Sequence, residues 1–169
     1  MKYLFIAIIA LCSPMVVFCQ DITGLWTGTL FNDSTQKSLP YEVFISKVKG
    51  KYIGYSQTWF MINDIKYYGI KKINVRIAKD GKIVIQDAAL MENNYPAHAN
   101  KNVIQLDILN LQKNDNDITL DGPFVTNSTT TFSALTGRIS IKRVASSNES
   151  SLMRYLNKNS IDNDITALK

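Results

Sequence analysis

Pairs of turn-forming residues punctuate the middle of this 169-residue chain and leave room only for short strands between them. Lys49-Gly50, Asn63-Asp64 and Asp80-Gly81 each stand between two segments that alternate apolar and polar residues. Gly, Asn and Asp accept the positive φ angles of a two-residue hairpin loop, so each pair reads as a tight reversal. Asn114-Asp115-Asn116-Asp117 makes a slightly longer polar turn. Nothing between these turns resembles a crossover helix, so consecutive strands are expected to pair as antiparallel neighbours.

Eight strands are expected on this pattern. They span residues 22–31, 41–48, 51–62, 65–79, 82–90, 102–112, 118–125 and 132–144, the fourth bent or broken near Gly69. Eight hairpin-linked strands predict an all-β fold, an eight-stranded antiparallel up-and-down barrel, because closure removes both sheet edges. A linker, Ala145 to Ser150, follows, and Ser151 is expected to cap a short C-terminal helix to about Asn157.

The alternation predicts one buried face. Trp26 and Leu30 share a face with Gly24 and Gly28 on strand one. Tyr41, Val43 and Ile45, then Ile73, Val75 and Ile77, then Ile104, Leu106 and Ile108, then Leu135, Ile139 and Ile141 are expected to point inward. Gln105 and Asp107 fall on the opposite face in this reading. Three odd-numbered loops, 32–40, 91–101 and 126–131, read as long, and the even ones as short. One end is then tightly closed and the other is a mouth, where recognition usually sits.

Residues 1–19 carry the pattern of a secretory signal peptide: Lys2, an apolar run from Tyr3 to Leu11, a break at Ser13-Pro14, and Val17 and Cys19 before the cleavage point. The apolar run is too short for a stable membrane span. The alternative is a lipoprotein with Cys19 as the modified residue, against which Phe18 stands. Residues 20–144 then form the barrel domain and 145–169 the polar linker, helix and tail. Secretion, or residence in the periplasm and cell envelope, is the expected localisation. Cys12 and Cys19 are the only cysteines, so a mature chain cut after Cys19 has no disulfide and depends on its core. A hydrophobic content of 46% is ordinary for a globular protein and supplies that core. The net charge of +5 is scattered rather than clustered, which argues against a nucleic-acid partner.

Gly24-Leu25-Trp26 resembles the Gly-x-Trp signature of the lipocalin and wider calycin group, and the strand count and long first loop are similar too. The resemblance covers about residues 21–144 and implies a diverged, bacterial lipocalin-like domain, with an avidin-like barrel as the neighbouring alternative. It further implies that Trp26 sits inside the closed end, under an Arg from the last strand. Arg143 has the parity of the inward-facing Ile139 and Ile141, so it is preferred to Arg138. Lipocalin disulfides and the acidic motif of that family's middle loop have no counterpart here. Gly24, Trp26 and Arg143 are therefore expected to be structural.

For binding, the aromatic residues around Asn63-Asp64 stand out: Tyr55, Trp59, Phe60 and Tyr67 are expected near the mouth, stacking on a sugar or an apolar ligand. The competing reading is ordinary core and cross-strand packing. His98, the only histidine, lies near Glu92 but has no nucleophile or second metal ligand beside it. Asp115, Asp117 and Asp121-Gly122 lack the spacing and closing Glu of a calcium loop. No catalytic residues, metal or cofactor are expected, and the chain does not read as an enzyme. The expected function is a non-catalytic, lipocalin-like binding module for a small apolar or amphipathic ligand. The alternative is an envelope protein–protein interaction module with a packed barrel.

Overall fold

The computed structural model describes residues 21–96, 102–114, 117–145, 150–159 and 161. The leader, His98, Asp115 and the end of the tail lie outside these residues. Eight strands follow one another: β1 (Gly24–Asn32), β2 (Lys37–Val48), β3 (Lys51–Ile62), β4 (Ile65–Ile77), β5 (Ile83–Asn93), β6 (Gln105–Lys113), β7 (Ile118–Thr126) and β8 (Thr136–Val144). Each pairs antiparallel with the next, and β8 pairs with β1, so the sheet closes into a barrel. The turn residues act as their chemistry requires: Lys49, Gly50, Asn63, Asp64 and Gly81 all have positive φ.

Closure is made where β1 meets β8. Trp26 stands opposite Arg143 and Gly28 opposite Ile141. Trp26 is fully buried, and its Nε1 donates to the Ile22 carbonyl at 3.0 Å. The Arg143 guanidinium lies 5.0 Å from the centre of the Trp26 ring and donates to the Asp21 carbonyl. Gly28 lets the two strands approach, since a Cβ there would fall 2.2 Å from the Ser140 carbonyl oxygen. Gly24 has φ +115°, a conformation L side chains rarely adopt, where the chain enters β1. Trp26 thus lies buried beneath Arg143, and not Arg138.

Inside, a single apolar cluster joins Trp26 to Tyr41, Val43, Ile45, Ile73 and Leu109, among others, and runs from the closed end to Leu30 and Phe124 near the mouth. A second cluster lies on the outer wall. Helix α1 (Ser151–Lys158) lays Leu152, Met153 and Leu156 against Leu25, Tyr55 and Ile70. Ser150, rather than Ser151, is the N-cap: its side chain accepts from the Met153 N–H at 3.1 Å. The Glu42 carboxylate of β2 accepts from Ser150 Oγ at 2.7 Å and from the Leu152 N–H at 2.9 Å. A carboxylate at a helix start complements both the free N–H groups and the helix dipole.

Three expectations are corrected. The first loop is not long: β2 begins at Lys37, and only Asp33–Gln36 separates it from β1. Pro40 sits inside β2, opposite Thr29. It is tolerated there because β2 pairs with β3 only from Tyr41, so this stretch has β1 alone as neighbour and the missing N–H breaks no second ladder. The face of β6 is also reversed. Gln105, Asp107 and Leu109 are buried, whereas Ile104 and Ile108 are exposed. Ile77 is likewise exposed at the end of β4. The mouth keeps two long connections, residues 94–104 and 127–135, beside two short ones.

The seam at Trp26 sets a stability expectation. Trp26→Ala is expected to cost about 3–5 kcal/mol in urea unfolding, through the cavity it leaves. Arg143→Ala is expected to cost about 0.5–2 kcal/mol, the range of a ring–guanidinium contact.

Candidate functional site

The barrel is weakest where β5 meets β6. These strands share four residue pairs, Ile83↔Leu109 to Gln86↔Leu106, fewer than any other neighbours. Two irregularities in β5 explain the parting. Against β4 the register passes from Asp87 to Ala89 and from Leu90 to Glu92, so Ala88 and Met91 are bulged. Bulges twist a strand away from its partner. The Asp87 carboxylate then accepts the Gln105 backbone N–H at 2.8 Å, a side chain taking the place of a ladder bond.

The parted strands leave a cleft of about 530 Å³. Ala88, Ala89, Leu90, Val103 and Ile104 supply its apolar lining, and Asn93 and Asn102 are polar members of the same wall. Lys71 and Asp87 complete the lining. Their side chains form an ion pair with little exposure, and Lys71 Nζ also donates to the Val103 carbonyl at 3.0 Å. The wall at 102–104 is fastened from the other side by Asn127. Its Oδ1 accepts from the Ile104 N–H at 2.7 Å and its Nδ2 donates to the Asn102 carbonyl at 3.3 Å.

Beneath the ion pair the network continues into the core. Gln105 Nε2 donates to Asp107 Oδ1 at 2.8 Å, and the Tyr41 hydroxyl donates to Asp107 Oδ2 at 2.8 Å. Asp107 is 1% exposed. Burial raises its carboxyl to about 7, against which the Gln105 and Tyr41 bonds pull down. Burial and then the nearby Asp107 charge hold the Tyr41 phenol well above its usual value. Tyr95 is raised to about 12, by burial and then by Asp87.

The predicted aromatic group is divided by the wall. Tyr55 and Trp59 face outward: Tyr55 packs under α1, and Trp59 has Lys66 Nζ 5.1 Å from the centre of its ring. Phe60 and Tyr67 lie on the other face, with ring centres 5.5 Å apart, and Tyr95 packs against Phe60 at 5.1 Å. The Tyr95 hydroxyl reaches Gly69, where a Cβ would fall 2.0 Å from it. So Phe60 and Tyr67 are brought together at the mouth, and Tyr55 and Trp59 are not. Lys71 and Asp87 escaped the sequence reading, and Asp107 is buried where that reading places it on the opposite face. Among the described residues, no group of three or more His, Cys, Asp and Glu side chains is placed to hold a metal. No protein family, curated protein or solved structure matches the chain.

Asp107 makes stability depend on pH. Its folded value near 7 lies above the ordinary 3.8, so between these values the folded protein holds a proton that the unfolded chain releases. Stability from this group is present below about pH 4 and is lost as pH rises towards 7. Asp21 and Asp80 are shifted downward, and their contributions change below pH 4, outside that window. Urea unfolding at pH 5 and pH 8 is expected to show a more stable protein at pH 5, and Asp107→Asn is expected to flatten the difference.

Proposed function

We propose that this chain is an exported, non-catalytic binding module of lipocalin-like type, and that its ligand is a small amphipathic molecule held between β5 and β6. The observation that carries this reading is the parted seam, with apolar walls above a charged floor. Its volume of about 530 Å³ falls within the ~300–1,000 Å³ range of small-molecule sites. Ala88, Ala89, Leu90, Val103 and Ile104 suit an apolar body. Lys71 and Asp87 already satisfy one another, and the remaining donor and acceptor capacity of the pair is what the floor offers to a polar head. The most strongly shifted acid, Asp107, is sealed below the floor and does not line the cleft, which supports binding rather than catalysis.

The lipocalin-like assignment draws on the eight-stranded barrel together with Trp26 under Arg143. It departs from that type in the ligand's position: side chains fill the barrel from the closed end to Leu30 and Phe124, so the cleft opens at a seam rather than down the barrel axis. The same filled interior favours the second reading, an envelope module that contacts another protein through its outer surface. The signal-peptide pattern of residues 1–19 supports export in either case.

Native mass spectrometry of the mature protein from its own host tests the two readings. A non-covalent mass excess is expected, and Ala89→Trp is expected to remove it by filling the cleft. Trp59→Ala is expected to leave it unchanged, because that ring is on the outer face. A bare mass for the wild type would overturn the small-molecule reading and favour the protein-contact one.

A further inference from the structure

The β3–β4 hairpin runs past its last pairs with both neighbouring strands. β2 pairs with β3 only as far as Tyr41↔Thr58, and β5 pairs with β4 only from Gly69. Between these limits, Trp59↔Tyr68, Phe60↔Tyr67, Met61↔Lys66 and Ile62↔Ile65 have only each other as strand partners among the described residues. At ~3.3 Å per residue, four pairs carry this ribbon ~13 Å past its last pair with β2.

A two-stranded ribbon is marginal in water by itself. This one is braced at its base. Tyr95 packs on Phe60, and Asn94 takes both backbone groups of Tyr68, accepting from its N–H at 2.7 Å and donating to its carbonyl at 3.3 Å. The far end is not covered in this way. Every strand residue of the ribbon except Lys66 is aromatic or aliphatic, and Met61, Ile62 and Ile65 are 38%, 41% and 57% exposed. Projecting aliphatic side chains of this size are costly to keep in water without a partner.

We propose that the ribbon docks the protein on an anionic lipid surface. The surface is convex, so it fits a deformable interface and not a small ligand. Its chemistry follows the order of a bilayer boundary: aliphatic residues at the end, then the half-buried ring of Tyr68, a side chain that favours the headgroup region, while Trp59 is buried at the ribbon's base. Lys66 stands at that level, its Nζ over the Trp59 ring, where an ammonium can reach lipid phosphates. Cut after Cys19, the chain loses Lys2 and keeps a formal net charge of +4, which favours an anionic leaflet over a neutral one. Two carboxylates oppose an anionic surface here, Asp64 in the turn and Glu92 at the base, which accepts from the Tyr68 hydroxyl at 2.8 Å, so the contact is confined to the apolar end beside Lys66. The β5–β6 connection lies at the same end of the barrel as this turn, so docking brings the cleft to the lipid surface. The inference stands on the ribbon alone and does not require a ligand in the cleft.

Co-sedimentation of the mature protein with vesicles tests it, using phosphatidylcholine with and without phosphatidylglycerol. Binding to the anionic vesicles is expected, with little binding to phosphatidylcholine alone. Ile62→Ser with Ile65→Ser is expected to weaken binding about tenfold or more, as apolar area is lost from the contact. Lys66→Glu is expected to abolish the preference for phosphatidylglycerol, and Asp64→Asn to strengthen binding. These positions are exposed, and circular dichroism of each variant checks that the barrel persists. Failure to bind either vesicle, or binding indifferent to the Ile62 and Ile65 changes, would overturn the proposal. So would a dimer in lipid-free buffer that the same changes dissolve, which would assign the ribbon to self-association. Loss of vesicle binding with the mass excess retained would refute docking alone.

Discussion

The packing of Trp26 beneath Arg143 is the constraint on which the barrel depends, because it sits where the first strand meets the last. A sheet gains closure only if its ends meet in register and in contact. Gly28 permits the contact by letting β1 lie against the Ser140 backbone. The indole then fills the closed end, and the guanidinium covers it while holding the Asp21 carbonyl. The apolar cluster above this lid is continuous from Ile22 to Phe124, so loosening the seam exposes the whole interior rather than one residue.

The β5–β6 seam is the counterpart. The bulges at Ala88 and Met91 and the Asp87–Gln105 bond stop the ladder after four pairs. Polar side chains then enter the barrel from β4, β5 and β6, and each is matched: Lys71 by Asp87, Asp107 by Tyr41 and Gln105. The interior is thus apolar where the ladder is complete and polar where it parts. That gradient gives the cleft its charged floor.

The fold was legible because its determinants are local. A positive-φ turn at Asn63-Asp64 or Lys49-Gly50 needs only the two residues that make it. The face of β6 was not legible, because both parities carry aliphatic residues: Ile104, Leu106 and Ile108 on one, Leu109 and Leu111 on the other. What decides between them is the provision of partners for Asp107 by β2 and by Gln105, and the β2 contact is a tertiary fact. Tyr55 was misplaced for a similar reason: the helix that covers it lies roughly a hundred residues further along the chain. The cleft has no motif at all. Two bulged residues and one side-chain bond to a backbone N–H create it, and alternation alone does not reveal an interrupted ladder.

Closure between β1 and β8 also fixes an order of events. Every other strand pair joins neighbours in sequence, so hairpins can form as soon as both arms exist. The Trp26 strand has half of its partners at the opposite end of the chain and cannot finish its ladder until Arg143 is available. Loop closure over so long a separation is slow, and it comes before the outer wall has the complete surface that α1 covers. A chain threaded amino-terminus first across a membrane would therefore hold an open sheet, with two bare edges, until its last strand emerged. The C-terminal helix, arriving after that strand, would seal a barrel that already exists.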